Sequence, residues 1–141
     1  MLKVLFLCTG NSCRSQMAEG LARKFHSRFI EFQSAGIEKH GLNPMAVKVM
    51  AEVGVDISSY RSKTLQELSG IQFDYVFTVC SHAHESCPVF PHDAQIVHQG
   101  FDDPPKLAQG IKDEEKALDH YRRVRDEINE FARNLSEFLN L

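Results

Sequence analysis

The sequence predicts an α/β fold with an open, four-stranded parallel sheet flanked by helices. Short apolar or β-branched segments alternate along the chain with amphipathic helical segments, which is the pattern of such sheets. The first segment, residues 4–7, is apolar without interruption, as expected for a parallel strand buried on both faces. The 141 residues are enough for one core, so we expect a single domain over residues 1–141.

The first half of the chain predicts a strand, a helix, a second strand and a second helix. Apolar residues at helical spacing predict the first helix over residues 15–29, and residues 30–34 resemble a strand. This unit implies a right-handed crossover. Asn43 followed by Pro44 is a typical helix start, and Gly54 ends that helix. The predicted inner faces are Met17, Leu21, Ala22, Phe25 and Phe29 for the first helix, and Ala46, Val47, Met50 and Val53 for the second.

The second half predicts two further strands and a long terminal helix. Residues 55–63 look irregular, residues 64–68 favour a short helix, and residues 73–80 are rich in β-formers. Residues 95–98 form a weaker fourth strand. Asp113 is a plausible cap for the last helix, which we expect to extend to Phe138. Its predicted inner face is Leu118, Tyr121, Val124, Ile128, Phe131, Leu135 and Phe138.

Composition excludes several classes of protein. The net charge of -3 provides no overall basic field for nucleic acid or a membrane surface. No apolar run is long enough for a transmembrane helix, and the amino terminus lacks the features of a signal peptide. We therefore expect a cytoplasmic protein, where structural disulfides are rare. The four cysteines are then catalytic, metal-binding or simply buried.

The segment after the first strand is a candidate oxyanion-binding loop. Cys8 ends the strand, Arg14 follows six residues later, and small or polar residues lie between them. Backbone N–H groups at the following helix start, with a planar guanidinium, suit a tetrahedral anion. They would also lower the pKa of Cys8 from about 8.5 to roughly 3.5–7.5, and Ser15 would donate to the sulfur. Spacing alone also allows a buried cysteine and a surface arginine. Thr9, Gly10, Asn11, Ser12, Cys13, Arg14 and Ser15 form the predicted loop.

Two further cysteines suggest redox chemistry. Cys80 ends the third predicted strand and Cys87 follows seven residues later. A helix would separate their Cα atoms by about 10 Å, beyond the roughly 7 Å limit for a disulfide. A Cys80–Cys87 bond would therefore require the segment to unwind, which would make it a redox switch. Two unrelated thiols are the simpler interpretation. A zinc site with His82 and His84 fits poorly because its close spacing crowds a tetrahedral centre.

Asp103 is a candidate acid. Pro104 and Pro105 stiffen the chain and disfavour helix at Asp103, so that a loop at the carboxyl edge of the sheet would hold its carboxylate over the anion. A turn or cap aspartate is the ordinary alternative.

These motifs resemble a known family. Residues 8–15, Cys-Thr-Gly-Asn-Ser-Cys-Arg-Ser, look like the signature loop of low-molecular-weight protein tyrosine phosphatases, and residues 100–104 resemble their acid loop. Cys80, Cys87 and the Gln-Met-Ala-Glu of residues 16–19 are similar to the thioredoxin-coupled arsenate reductases of this fold. The resemblance covers essentially the whole chain and implies a Rossmann-like, three-layer architecture.

The resemblance implies a three-cysteine relay. Cys8 would attack arsenate, Cys80 would attack Cys8 and release arsenite, and Cys87 would then attack Cys80. Thioredoxin would reduce the resulting Cys80–Cys87 disulfide. No cofactor is implied, and nothing demands more than a monomer. Cys13 has no step and is expected only to fill the loop.

Two other functions remain open. A phosphatase would use a phosphocysteine at Cys8 with Asp103 as general acid, although Pro105 and Lys106 replace the aromatic residues usual for gripping phosphotyrosine. A non-catalytic module would sense redox state or bind an oxyanion and signal through Cys80 and Cys87.

Some reductases resembling this chain bind potassium beside the loop. Asn11, Glu19 and Ser34 match part of that pattern, but Lys63 stands where a carboxylate ligand would be needed. A lysine would supply positive charge in place of the ion, so we predict no metal. Glu19 fits that pattern and equally fits a solvated helix residue, which is the usual case.

Overall fold

Four parallel strands form one sheet, which confirms the predicted fold class. The computed structural model of the chain describes residues 1–26, 28–80 and 94–139. Within them the strand order is β2-β1-β3-β4, and every adjacent pair is parallel. Residues 4–7 are fully buried, as the apolar run predicts. The strands are β1 Leu2–Cys8, β2 Ile30–Gly36, β3 Tyr75–Thr78 and β4 Gln95–His98.

Helices flank this sheet. The longest, α4, packs against α1, α2 and α3. Asn43 caps α2 by accepting from the backbone N–H groups of Met45 and Ala46 at 2.8 and 3.3 Å, and Asp113 caps α4 similarly. The helices are α1 Arg14–His26, α2 Pro44–Glu52, a 3₁₀ helix Leu65–Leu68, α3 Pro104–Ala108, α4 Glu114–Arg133 and α5 Leu135–Phe138. None of the helices in the described residues is both long and apolar enough to cross a membrane.

Several boundaries differ from the predictions. The first helix ends at His26 rather than at Phe29, because the chain turns there to enter β2. Phe29 is 70% exposed and Phe25 36% exposed, so that their places on the predicted inner face are wrong. The terminal helix breaks at Asn134, and Phe138 beyond the break is 36% exposed. Helix α3 was not predicted; its prolines occupy the first turn, where no backbone N–H donor is needed.

The core is formed by the sheet together with α1, α2 and α4. Phe6 of β1 stacks on Phe32 of β2 with ring centroids 5.8 Å apart, and Phe131 of α4 meets Phe77 of β3 edge-on at 5.4 Å. In the β1–β3 ladder Leu7 pairs with Thr78. This register brings the carboxyl ends of the two strands, and the residues that follow them, to one edge of the sheet.

Candidate active site

The loop after β1 is held from outside by the segment that follows β2. Residues 37–43 donate backbone N–H groups to four loop carbonyls at 2.9–3.1 Å. In a trans peptide the N–H and the C=O point in opposite directions. Because these carbonyls point towards residues 37–43, the N–H groups of the same peptide units point to the other side of the loop. The four pairs are Ile37 with Cys8, Glu38 with Thr9, His40 with Gly10, and Asn43 with Ser12.

Gly36 allows this close approach. A Cβ on Gly36 would overlap the carbonyl oxygen of Glu38 and lie 2.8 Å from the backbone nitrogen of Asn11. No side chain fits there without moving backbone. Sequence reasoning missed the segment, although the Ala-Gly that ends β2 and the Asn43 cap were visible signals.

Asn11 is the buried hub of the loop. It has φ of 49°, in the left-handed region that asparagine tolerates, and it is fully buried. Its Nδ2 donates to the hydroxyls of Ser15 and Ser34 at 2.8 and 3.0 Å. Its Oδ1 accepts from the backbone N–H of Lys63 at 2.9 Å and from the amide of Gln16 at 3.0 Å. The strained loop conformation is thus fixed by side-chain hydrogen bonds.

Glu19 lies beside this hub and is 4% exposed, so the interpretation as a solvated residue is wrong. It accepts from the Ser34 hydroxyl at 2.6 Å and pairs with Arg23 at 2.7 Å. The Lys63 ammonium is 3.9 Å away. Burial lowers the pKa of Lys63, and the Glu19 carboxylate opposes that shift. In the described ranges no group of three or more His, Cys, Asp or Glu residues is arranged to hold a metal ion.

Cys8 ends β1, and Cys80 follows the end of β3 by two residues, since β3 stops at Thr78 and not at Cys80 as predicted. Both cysteines lie at the same edge of the sheet. Cys8 is 4% exposed and Cys80 2% exposed. The Thr9 hydroxyl and the Cys80 thiol are hydrogen-bonded at 3.1 Å. A hydrogen bond with Cys80, followed by burial, raises the pKa of Cys8 well above its ordinary value, while Arg14 and the backbone N–H of Ser15 oppose this.

The predicted fall in the pKa of Cys8 is therefore wrong for this arrangement. The guanidinium and the helix start act in the expected direction, but a second thiol outweighs them. That contact is tertiary and cannot be read from the spacing of the loop. Burial also raises the pKa of Cys13, which is 4% exposed. Both are consistent with the prediction that this thiol only fills the loop.

Arg14 connects the loop to Asp103. Its Nη1 donates to the carbonyl oxygen of Phe101 at 3.0 Å, and its Nη2 is 3.6 Å from Asp103 Oδ1. Asp103 precedes α3 and makes no side-chain cap bond, so its carboxylate is not used for helix capping. The prediction that the two prolines keep Asp103 itself out of a helix agrees with this position.

Two neighbouring cavities meet at Arg14. The first, of about 300 Å³, is lined by Cys8 and much of the loop, with His40, Asn43, Asp103 and Pro105. The second, of about 780 Å³, is lined by Thr9 and Cys80 together with residues 101–103 and 106–107. Cys87 and the rest of residues 81–93 lie outside the described residues, so the Cys80–Cys87 switch stays a prediction.

Comparisons with known proteins agree with this geometry. The family model for low molecular weight phosphotyrosine protein phosphatase matches residues 3–140. The arsenate reductase of Halalkalibacterium halodurans is 48% identical over 134 residues, which are 95% of this chain and 94% of that protein. A solved arsenate reductase in the phosphate binding state is 33% identical over 96% of each chain, with a TM-score of 0.75. The low molecular weight protein tyrosine phosphatase from T. tengcongensis is 30% identical over 97% of this chain and 99% of that one, with a TM-score of 0.76.

Proposed function

Because the chain belongs to the low molecular weight phosphotyrosine protein phosphatase family, we propose that it is a member of the arsenate-reducing kind. It reduces arsenate to arsenite with Cys8 as the nucleophile and Cys80 as the second thiol. One observation carries this proposal: Cys80 follows β3 at the edge of the sheet where β1 ends in Cys8, and its thiol is hydrogen-bonded at 3.1 Å to Thr9, the residue next to Cys8. Hydrolysis of a phosphate ester needs no second thiol beside the nucleophile, whereas reduction does.

The first step is capture of the oxyanion above Cys8. The loop N–H groups turned away from residues 37–43, the start of α1 and the Arg14 guanidinium favour negative charge in the first cavity. The arsenate anion takes the proton of the Cys8 thiol, and the resulting thiolate attacks arsenic(V); a sulfur–arsenic bond forms and one oxygen leaves as water. Asp103 lines the same cavity and is the proposed proton donor to that oxygen.

The second step transfers two electrons. The thiolate of Cys80 attacks the sulfur of Cys8, and the electron pair of the sulfur–arsenic bond goes to arsenic. Arsenic is reduced to the +3 state and leaves as arsenite, and a Cys8–Cys80 disulfide remains. β1 and β3 are adjacent parallel strands, and the hydrogen bond between Thr9 and Cys80 holds Cys80 beside the loop that contains Cys8.

The last steps regenerate the enzyme. Cys87 attacks Cys80, frees Cys8 and leaves a Cys80–Cys87 disulfide, which a thioredoxin dithiol reduces by exchange. We place this chemistry in the reducing cytoplasm, where a thioredoxin keeps such disulfides open. We propose that residues 1–141 act as one domain and as a monomer, with no cofactor.

Phosphate-ester hydrolysis is the second candidate function. Asp103 shares the cavity with Cys8 and Arg14, which is the arrangement a phosphocysteine mechanism needs. The two activities share the loop, so weak hydrolysis can accompany reduction.

The test is arsenate-dependent consumption of NADPH in the presence of thioredoxin and its reductase. Wild-type protein is expected to turn over, and Cys80→Ser to lose this activity while keeping hydrolysis of p-nitrophenyl phosphate. Cys8→Ser is the matched comparison and should lose both. Full reductase activity in Cys80→Ser would contradict the proposal.

A further inference from the structure

His40 packs against the predicted oxyanion-binding loop, residues 9–15, at the edge of the cavity that contains Cys8. Its backbone N–H donates to the carbonyl of Gly10 at 2.9 Å, and its side chain lines the cavity that contains Cys8. The imidazole packs directly on Gly10, since a Cβ added there would overlap its Nδ1 and Cγ. The ring is 51% exposed, so it forms the rim of the cavity.

Glu38 orients this ring. The Glu38 backbone N–H donates to the carbonyl of Thr9 at 2.9 Å, which anchors the residue to the loop. Its Oε2 is 2.7 Å from Nε2 of His40. A carboxylate only accepts, so Nε2 carries a hydrogen and its N–H donates the hydrogen bond to Glu38. Nδ1 is then the ring nitrogen on the side of Gly10, as an acceptor in neutral imidazole and a donor in imidazolium.

His40 adds a basic group where one is needed. The ionisable side chains of the described residues that line this cavity are Cys8, Cys13, Arg14, His40 and Asp103. Arg14 is partly engaged, by the Phe101 carbonyl and by Asp103. The loop N–H groups and Arg14 serve the oxygens of a bound anion that face the loop, so an oxygen directed towards the rim is the one that His40 would contact.

We propose that His40, oriented by Glu38, is an oxyanion-binding residue whose Nδ1 contacts one oxygen of the tetrahedral anion bound over Cys8. This inference deepens the proposed function and rests on the oxyanion site that the function requires. Nδ1 serves in either state of the ring: it accepts the O–H of hydrogen arsenate or hydrogen phosphate in neutral imidazole and donates to an anionic oxygen in imidazolium.

The test measures binding of inorganic phosphate to the reduced full chain by calorimetry. His40→Phe keeps a ring against Gly10 without the nitrogen, and should bind phosphate about three- to tenfold more weakly, the loss expected for one hydrogen bond. His40→Asn keeps a polar atom near the position of Nδ1 and should recover most of the affinity. Glu38→Ala should also weaken binding. Glu31→Ala is the control, because this exposed glutamate lies at the opposite end of β2 and should bind like wild type.

Three results would overturn the inference. These are no binding of phosphate by wild type, unchanged affinity in His40→Phe, or His40→Asn binding no better than His40→Phe. The binding assay needs no arsenate reduction. A chain that fails to reduce arsenate but binds phosphate in a manner dependent on His40 would therefore refute the proposed function and leave this site standing.

Discussion

Replacing Asn11 tests how the anion loop is held in place. The side chain combines a left-handed backbone conformation with hydrogen bonds to Ser15, Ser34, Gln16 and Lys63 in a fully buried setting. Two variants separate these contributions. Asn11→Gly keeps the backbone freedom and removes the hydrogen bonds, and Asn11→Ala removes both.

The expected loss follows from the partners left behind. Without Asn11, the backbone N–H of Lys63 has lost its acceptor, which costs about 1–3 kcal/mol, and the two serine hydroxyls lose a donor worth about 0.5–1.5 kcal/mol each. Ser34 retains its bond to Glu19, which reduces the total. We expect Asn11→Gly to lower the free energy of unfolding by about 2–4 kcal/mol.

Asn11→Ala should be less stable again. Alanine at positive φ costs about 1–2 kcal/mol, whereas glycine costs about 0.5–1 kcal/mol in conformational entropy. Urea unfolding followed by circular dichroism measures both variants. The reasoning is refuted if Asn11→Gly unfolds within about 0.5 kcal/mol of wild type, a change typical of a surface substitution, or if Asn11→Ala is the more stable of the two.

Three further predictions concern other parts of the molecule. Cys80→Ser should lower the pKa of Cys8, because the hydrogen bond with Cys80 is the largest cause of the raised pKa. The pH profile of Cys8 alkylation by iodoacetamide should therefore move to lower pH. An unmoved profile would count against an interaction between the two thiols. Gly36→Ala should disrupt the loop and sharply weaken phosphate binding, because the added Cβ would overlap the backbone of Glu38 and Asn11. Phosphate binding with wild-type affinity would contradict this prediction. Arg122 lowers the pKa of Glu52 to about 2, so the stability that this carboxylate contributes is complete above about pH 4.5 and is lost as pH falls towards 2. In Glu52→Gln the free energy of unfolding should depend less on pH between about 4.5 and 2. The same pH dependence as wild type in that range would refute this role of Glu52.

The parts of the fold that follow from local patterns could be predicted. The apolar run of residues 4–7, the Asn43 cap and the spacing of apolar residues in α4 each depend on neighbours in sequence, and the structure confirms them. The first helix was overextended because Phe25 and Phe29 have helical spacing, yet the chain turns after His26 to reach β2. The spacing of apolar residues does not indicate where the helix of the β1–α1–β2 crossover must end.

The parts of the site that depend on distant residues could not be predicted. The loop residues and Arg14 were visible as a motif, but the support from residues 37–43 is made by backbone groups, which leave little trace in side-chain identity. The pKa of Cys8 was predicted in the wrong direction because its main cause is Cys80, a residue of another strand end. The burial of Glu19 was missed for the same reason, since Ser34 and Lys63 reach it only in the fold.

Mass spectrometry of the disulfides formed by Cys87→Ser after one turnover with arsenate tests the central claim most directly. With the third thiol removed, the account predicts that a Cys8–Cys80 bond accumulates, about one per arsenite released. Arsenite release without that bond, or a bond that forms equally well without arsenate, would contradict it.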